Sequence, residues 1–250
     1  MNSRQLNLNP SSLFKGQAGL VIRKILGAPG YKWTGRELAL ELGLSQAWVN
    51  RVLTHLLKEK LVFRNSQGRN STTEIKNTQE ILGQWIKFYH INRNPFTFYL
   101  KADPLKNLQE ISSKENFIYA LTGFEAANRI KKVVTNAPPM VYVWPRSETS
   151  APGAPEALFR PKNKCPELFG NILTKLENVY DFIPVQKKAN LIILKPMQKE
   201  AVFFESKIIN GSPLVSPIQL FLDLYGLSRG FFIIEQLSEY WKKNEITYAL

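Results

Sequence analysis

Asp181, Glu205 and Lys207 have the residue types and order of a hydrolytic pattern. An acid followed by Glu-x-Lys on a strand is the arrangement of metal-dependent nucleases of the restriction type. There, two carboxylates hold Mg²⁺ and the lysine helps position the attacking water. In this chain Glu205-Ser-Lys207 follows the apolar run Ala201-Val-Phe-Phe204, which reads as a strand. The pattern is short, and the same residues also describe a solvated strand face. Other chemistry has less to work with. Cys165 is the one cysteine, which excludes an internal disulfide framework and a zinc site built on several thiolates. Its neighbour Lys164 is weak grounds for an activated thiolate. His55 and His90 are the only histidines, too few for a multi-histidine metal centre. A Walker-type glycine loop does not occur. The expectation is no enzyme, no catalytic residue, no metal and no cofactor, with the nuclease as a lesser alternative.

A second set of residues suits nucleic acid. Ser45, Gln46, Trp48 and Asn50 open a helix whose outer face would meet base edges in a major groove. Asn and Gln can bond adenine bidentately, and Trp48 can pack on a thymine methyl or on sugars. Lys32, Thr34, Arg36, Arg51 and Thr54 flank that face and suit phosphates, which position a protein without reading sequence. Arg64 and Arg69 would sit on a hairpin beside the backbone or a minor groove. Trp48 also fits a core position.

The charge balance agrees with that set. The 250 residues hold 33 Lys+Arg against 20 Asp+Glu, a net +13 that favours polyanionic partners. Residues 1–76 carry 12 basic and 4 acidic groups, or +8, while residues 77–250 carry 21 and 16, or +5. More than half of the excess thus lies in under a third of the chain. With 44% hydrophobic and 21% charged residues, gross disorder, a collagen-like fibre and a coiled-coil rod are excluded. No apolar run is long enough to span a membrane. Met1 to Pro10 lacks the apolar core of a secretory signal, so a reduced cytoplasmic setting is expected.

The elements that must position these residues follow from spacing. Ala18, Val21, Ile22, Ile25 and Leu26 form one helical face over Gln17–Leu26. Thr34-Gly-Arg-Glu37 matches a capping box, and Gly43 stands where a left-handed residue would end the short helix. Ser45 caps a third helix, Gln46–Lys60, with the stripe Val49, Val52, Leu53, Leu56 and Leu57. Leu61–Phe63 and Thr72–Ile75 around a polar, glycine-containing turn predict a hairpin. Helix, helix, tight turn, helix, hairpin is the order of a winged helix-turn-helix. Two domains are expected: residues 1–76, and a mixed α/β body over 77–250, for an α+β protein. The body opens with a connecting helix in 77–90 and contains a proline-rich loop over 145–166.

Within the body, Phe96–Leu100, Met140–Trp144 and Leu191–Leu194 read as strands. Thr122 reads as a helix N-cap with Glu125 three residues on. Ser216-Pro-Ile-Gln219 combines an N-cap, a first-turn proline and a capping-box glutamine. Gly226 ends that helix, and a last helix runs from about Phe231 to Lys243. Gln219 and Asp223 are neighbours on an otherwise apolar helix, which points to internal bonding, with Arg229 as a candidate partner.

The run Val215-Ser-Pro-Ile-Gln-Leu-Phe-Leu-Asp-Leu224 with Ser228-Arg-Gly230 resembles the C-terminal signature of the AbiEi family. Its residues Ser216, Pro217, Gln219, Asp223, Arg229 and Gly230 have a structural role on this reading. Ala120–Ala127, Asn190–Pro196 and Trp33–Leu53 are similar to other stretches of the family, so the likeness covers about residues 16 to 243. Phe231-Phe-Ile-Ile234 departs from it, where the family tends to be acidic and alanine-rich. The resemblance implies a repressor that binds double-stranded DNA and autoregulates its operon. It would be the antitoxin of a type IV toxin–antitoxin, or abortive-infection, system, opposing a nucleotidyltransferase-like toxin without a stable complex. A homodimer is compatible with this reading. The alternatives are a stand-alone winged-helix transcription factor whose C-terminal domain senses a ligand or dimerises, and a protein-binding winged helix in a larger assembly.

Overall fold

A computed structural model of the chain describes residues 10–65, 71–133, 137–146 and 165–243. The protein is mixed α+β. The N-terminal part runs α1 (Pro10–Leu13), α2 (Gly16–Leu26), β1 (Trp33–Thr34), α3 (Gly35–Leu42), α4 (Gln46–Lys58), β2 (Val62–Asn65) and β3 (Thr72–Ile75). The capping box forms in full: the Thr34 hydroxyl accepts from the Glu37 amide, and the Glu37 carboxylate accepts from the Thr34 amide at 2.8 Å. Gly43 ends α3 with φ 61, where a Cβ would be strained. Three helices then pack through Val21, Ile22, Ile25 and Leu26 of α2, Leu38 and Leu42 of α3, and Val49, Val52, Leu53 and Leu56 of α4. Leu57, expected on that stripe, is 42% exposed, because it lies at the edge of the buried arc. The short strand β1, which no local pattern announced, pairs with β3 and gives an antiparallel sheet of order β1-β3-β2.

The rest of the chain contains α5 (Thr78–Trp85), β4 (Phe96–Leu100), α6 (Pro104–Lys114), β5 (Phe117–Thr122), α7 (Gly123–Ile130), β6 (Met140–Pro145), α8 (Cys165–Asn178), β7 (Ile183–Pro184) and β8 (Leu191–Leu194). It ends with α9 (Lys199–Phe203), β9 (Lys207–Ile209), β10 (Ser212–Leu214), α10 (Pro217–Tyr225) and α11 (Gly230–Lys243). Seven strands form one mixed sheet, β7-β4-β8-β6-β5-β10-β9. The centre is apolar: Val141, Tyr142, Val143, Leu191, Ile193 and Leu194 are buried. The β6–β8 and β5–β10 pairs are parallel, and the other pairs are antiparallel.

Three local expectations are corrected. Ala201–Phe204 is not a strand: Ala201–Phe203 belong to α9, whose Ala201, Val202 and Phe203 are buried together. The connecting helix stops at Trp85, so Tyr89 lies beyond it. Thr122 stands at the expected N-cap position of α7, but its side chain makes no capping bond there, and Glu125 pairs with Arg129 at 2.8 Å. Residues 147–164 of the proline-rich loop lie outside the described residues.

Two apolar clusters meet at α10. Ile218 and Leu222 join the cluster of α2, α3, α4 and α5, together with Phe204; Leu220 and Leu224 join the cluster around the seven-stranded sheet. At about 100° per residue these pairs face opposite ways. A helix apolar on both sides is a buried helix, and each such side chain contributes about 1.5–3 kcal/mol. The position 76/77, expected as the domain boundary, falls next to the N-cap of α5, whose Ile81, Leu82 and Trp85 belong to the first cluster. Gly230 starts α11 so close to α10 that a Cβ there would stand 1.8 Å from the Leu224 carbonyl oxygen. No helix among the described residues is long and apolar enough to cross a membrane.

Candidate nucleic-acid interface

The outer face of α4 is set by its burial stripe. With Val49, Val52, Leu53 and Leu56 inward, Ala47, Arg51, Thr54 and Lys58 form an exposed row at helical spacing, and Gln46 flanks it. Lys32 and Arg36 are also exposed. No carboxylate stands in that row, so it presents cations and short polar groups to solvent.

The expected base readers divide. Gln46 is free of local duties. The Ser45 hydroxyl caps α4, accepting from the Trp48 amide at 3.3 Å. Trp48 is partly buried against the N-terminal cluster, and its indole nitrogen is buried without a partner among the described residues. Trp48 thus stands half-buried at the border of that cluster. Asn50 does not project freely: its Oδ1 accepts from Arg64 Nη2 at 3.0 Å, and it lies so close to Gly35 that a Cβ there would approach to 2.5 Å. The same Arg64 nitrogen donates to Ser71 Oγ at 3.3 Å. Asn50 and Ser71 thus orient Arg64 from α4 and from the start of β3. Among the phosphate candidates, Thr54 donates to the Asn50 carbonyl at 2.8 Å and Thr34 is held in its capping box. Arg69 lies outside the described residues.

A second constellation sits behind this surface. Arg23 of α2 is 2% exposed and donates through Nη2 to Gln219 Oε1 at 2.7 Å. Gln219 Nε2 donates to Asp223 Oδ1 and to Tyr89 Oη, both at 2.8 Å. Asp223 also accepts from Tyr89 at 2.5 Å, Tyr142 at 3.0 Å and Thr122 at 2.5 Å. Four donors on one buried carboxylate fit its charged form. Burial nevertheless raises the Asp223 carboxyl to about 6, against the pull of those hydrogen bonds. Burial also lowers the Arg23 guanidinium to about 10, while Tyr89 and Asp223 hold it up. Arg23 stacks over Trp85 at 4.8 Å, and its Nε and Nη1 have no partner among the described residues.

The C-terminal motif is explained by this network. The Ser216 hydroxyl caps α10, accepting from the Gln219 amide at 3.3 Å. The Gln219 side chain does not close a capping box, because it is occupied with Arg23, Tyr89 and Asp223. The partner of the Gln219–Asp223 pair is Arg23, not Arg229, which is exposed and takes φ 66 before the tightly packed Gly230. Arg23 left one trace in the sequence: a cation three residues before Leu26 and four after Gly19, on an apolar helix face. Tyr89, Tyr142 and Thr122 arrive from distant elements and left none.

The hydrolytic pattern is not assembled. Asp181 lies just before β7 and Lys207 in β9, at opposite edges of the seven-stranded sheet. Six inter-strand steps separate the edges, about 29 Å. Glu205 faces Lys24 of α2 at 3.4 Å. Among the described residues, no group of three or more His, Cys, Asp or Glu is placed to hold a metal ion. No family model, no curated protein and no solved structure matches the chain.

Proposed function

We propose that the N-terminal helices and the β1-β3-β2 sheet form a winged helix-turn-helix that binds double-stranded DNA, and that the chain is a sequence-specific transcriptional repressor. The observation that carries this is the row Ala47, Arg51, Thr54, Lys58 on α4, flanked by Gln46 and by the oriented Arg64. A helix preceded by a glycine turn, with cations along its free side and a hairpin beside it, suits a major groove. Arg51, Lys58, Arg36 and Lys32 would release counterions from phosphates, Gln46 would read a base edge, and Arg64 would contact backbone or minor groove. Asn50 acts in this reading through Arg64.

The test is fluorescence anisotropy on a labelled duplex from the chain's own promoter region, beside a scrambled duplex, over a salt series. Log affinity should fall with log salt by about 0.9 per phosphate neutralised. A flat response sinks the proposal. Arg51→Ala should weaken both duplexes alike and reduce the slope by about one. Gln46→Ala should cost about 1–3 kcal/mol on the specific duplex and little on the scrambled one. Asn50→Ala and Arg64→Ala should be non-additive, since one orients the other.

On the resemblance of Val215–Leu224 and Ser228–Gly230 alone, the reading extends to the antitoxin of a type IV system. Co-expression with an adjacent nucleotidyltransferase-like gene should then restore growth. Unrelieved toxicity would remove the antitoxin role and leave the DNA-binding role standing.

A further inference from the structure

A cavity of about 330 Å³ opens among α6, α7 and the β9–β10 hairpin. Its volume lies near the lower end of small-molecule sites, about 300–1,000 Å³. Lys106 from α6 and Arg129 from α7 line it, and among the described residues the nearest carboxylate shown is Glu125, which pairs with Arg129 from outside the lining. Arg129 is held in place, with Nε donating to Glu125 Oε1 at 2.8 Å, so the guanidinium has a fixed direction. The hairpin is tied to the same residue, because Asn210 Nδ2 donates to the Arg129 carbonyl at 2.8 Å. Helix end and hairpin turn therefore form one braced rim. Leu105, Leu121 and Tyr119 also line it and add apolar and aromatic side chains to the lining. Burial raises the Tyr119 phenol, opposed by the charge of Arg129, so its hydroxyl stays a donor at neutral pH.

Two cations beside apolar and aromatic lining residues fit one ligand chemistry. We infer that this cavity binds a small organic anion: a phosphate or carboxylate head between Lys106 and Arg129, with a compact apolar or aromatic body on Leu105, Leu121 and Tyr119. The site lies outside the nucleic-acid face, and the inference does not depend on DNA binding. It has a route to the rest of the molecule. Leu121 is adjacent in β5 to Thr122, which donates to Asp223 and so joins the network that ends on Arg23 of α2.

The probe is phenyl phosphate, titrated calorimetrically into the full-length chain without DNA, with inorganic phosphate and phenol as separate controls. Phenyl phosphate should bind with Kd below about 1 mM. Each control should bind at least about tenfold more weakly, since each supplies one half of the complementarity. Amide resonances of Lys106, Arg129 and Ser212 should shift with the same isotherm. Lys106→Met and Arg129→Gln should each weaken binding about tenfold. Lys106 is an exposed side chain of α6, so its variant tests the site with the fold intact. No saturable binding at about 10 mM overturns the inference. So does equal affinity for inorganic phosphate, or undiminished binding by the Lys106 variant.

Discussion

Gln46 and Asn50 on α4, and Gln219 and Asp223 on α10, are two polar pairs at the same helical spacing with opposite fates. The first stands at the edge of a solvated cationic face; the second is wholly buried. Flanking residues decide the outcome. Around Gln46 and Asn50 the helix carries Ala47, Arg51 and Thr54, so a single apolar stripe is buried. Around Gln219 and Asp223 it carries Ile218, Leu220, Leu222 and Leu224, which bury both sides and take the polar pair inside with them. Exposed Gln46 can keep its hydrogen bonds with water and remain available to a ligand, while half-buried Asn50 gives its side-chain oxygen to Arg64. A buried pair must find every partner within the protein. Arg23, Tyr89, Tyr142 and Thr122 are those partners.

The sharpest way to break this comparison is to truncate one member of each pair. Asp223→Ala should cost about 3–5 kcal/mol in urea unfolding, because it leaves Arg23 buried without its counter-charge. Gln46→Ala should stay within about 0.5 kcal/mol. A loss below about 1 kcal/mol for Asp223→Ala would mean that the network is not a charge-compensated unit.

A second test uses pH. The folded Asp223 carboxyl is raised to about 6 from an ordinary value of 3.8. The folded state thus holds this proton more tightly than the unfolded one. Its contribution is fully present below about pH 4 and disappears as pH rises through about 6. The shift corresponds to about 3 kcal/mol. Asp223→Asn should remove that dependence. The difference in unfolding free energy, parent minus variant, should therefore fall from pH 4 to 6 and level off above it. A parallel pair of curves would contradict the assignment to Asp223.

The smallest expected effect sharpens the exposed side. Thr34→Ala breaks a capping box that touches neither the network nor the row on α4. It should cost about 1 kcal/mol in unfolding. Any loss of DNA affinity beyond that attributable to unfolded protein would bring Thr34 itself to the phosphates.

The parts legible in the sequence were those with local causes. Thr34, Glu37, Gly43 and Ser45 act within a few residues of themselves, and each takes the backbone role its type predicts. The strands at Phe96, Met140 and Leu191 followed from their β-branched and aromatic runs. What was not legible depended on long-range partners. The run Ala201–Phe204 is equally apolar as helix or strand, and the packing of α9 against α2 settles it. Asn50 looked like a base reader because its type suits adenine. Only the fold of β2 brings Arg64 to it. Asp181 and Lys207 share a pattern on paper, but the strand order sends them to opposite edges.

The bond from Arg23 to Gln219 spans 196 residues. Translation proceeds at about 5–20 residues per second, so Arg23 emerges about 10–40 s before its acceptor exists. During that interval the guanidinium is hydrated, and the face of α2 that will meet α10 is open to water. The N-terminal helices can form early, but their docking on α10 waits until nearly the whole chain has been made. A ribosome stalled before Ser216 would display a nascent chain with α4 formed and its Arg23 side uncovered.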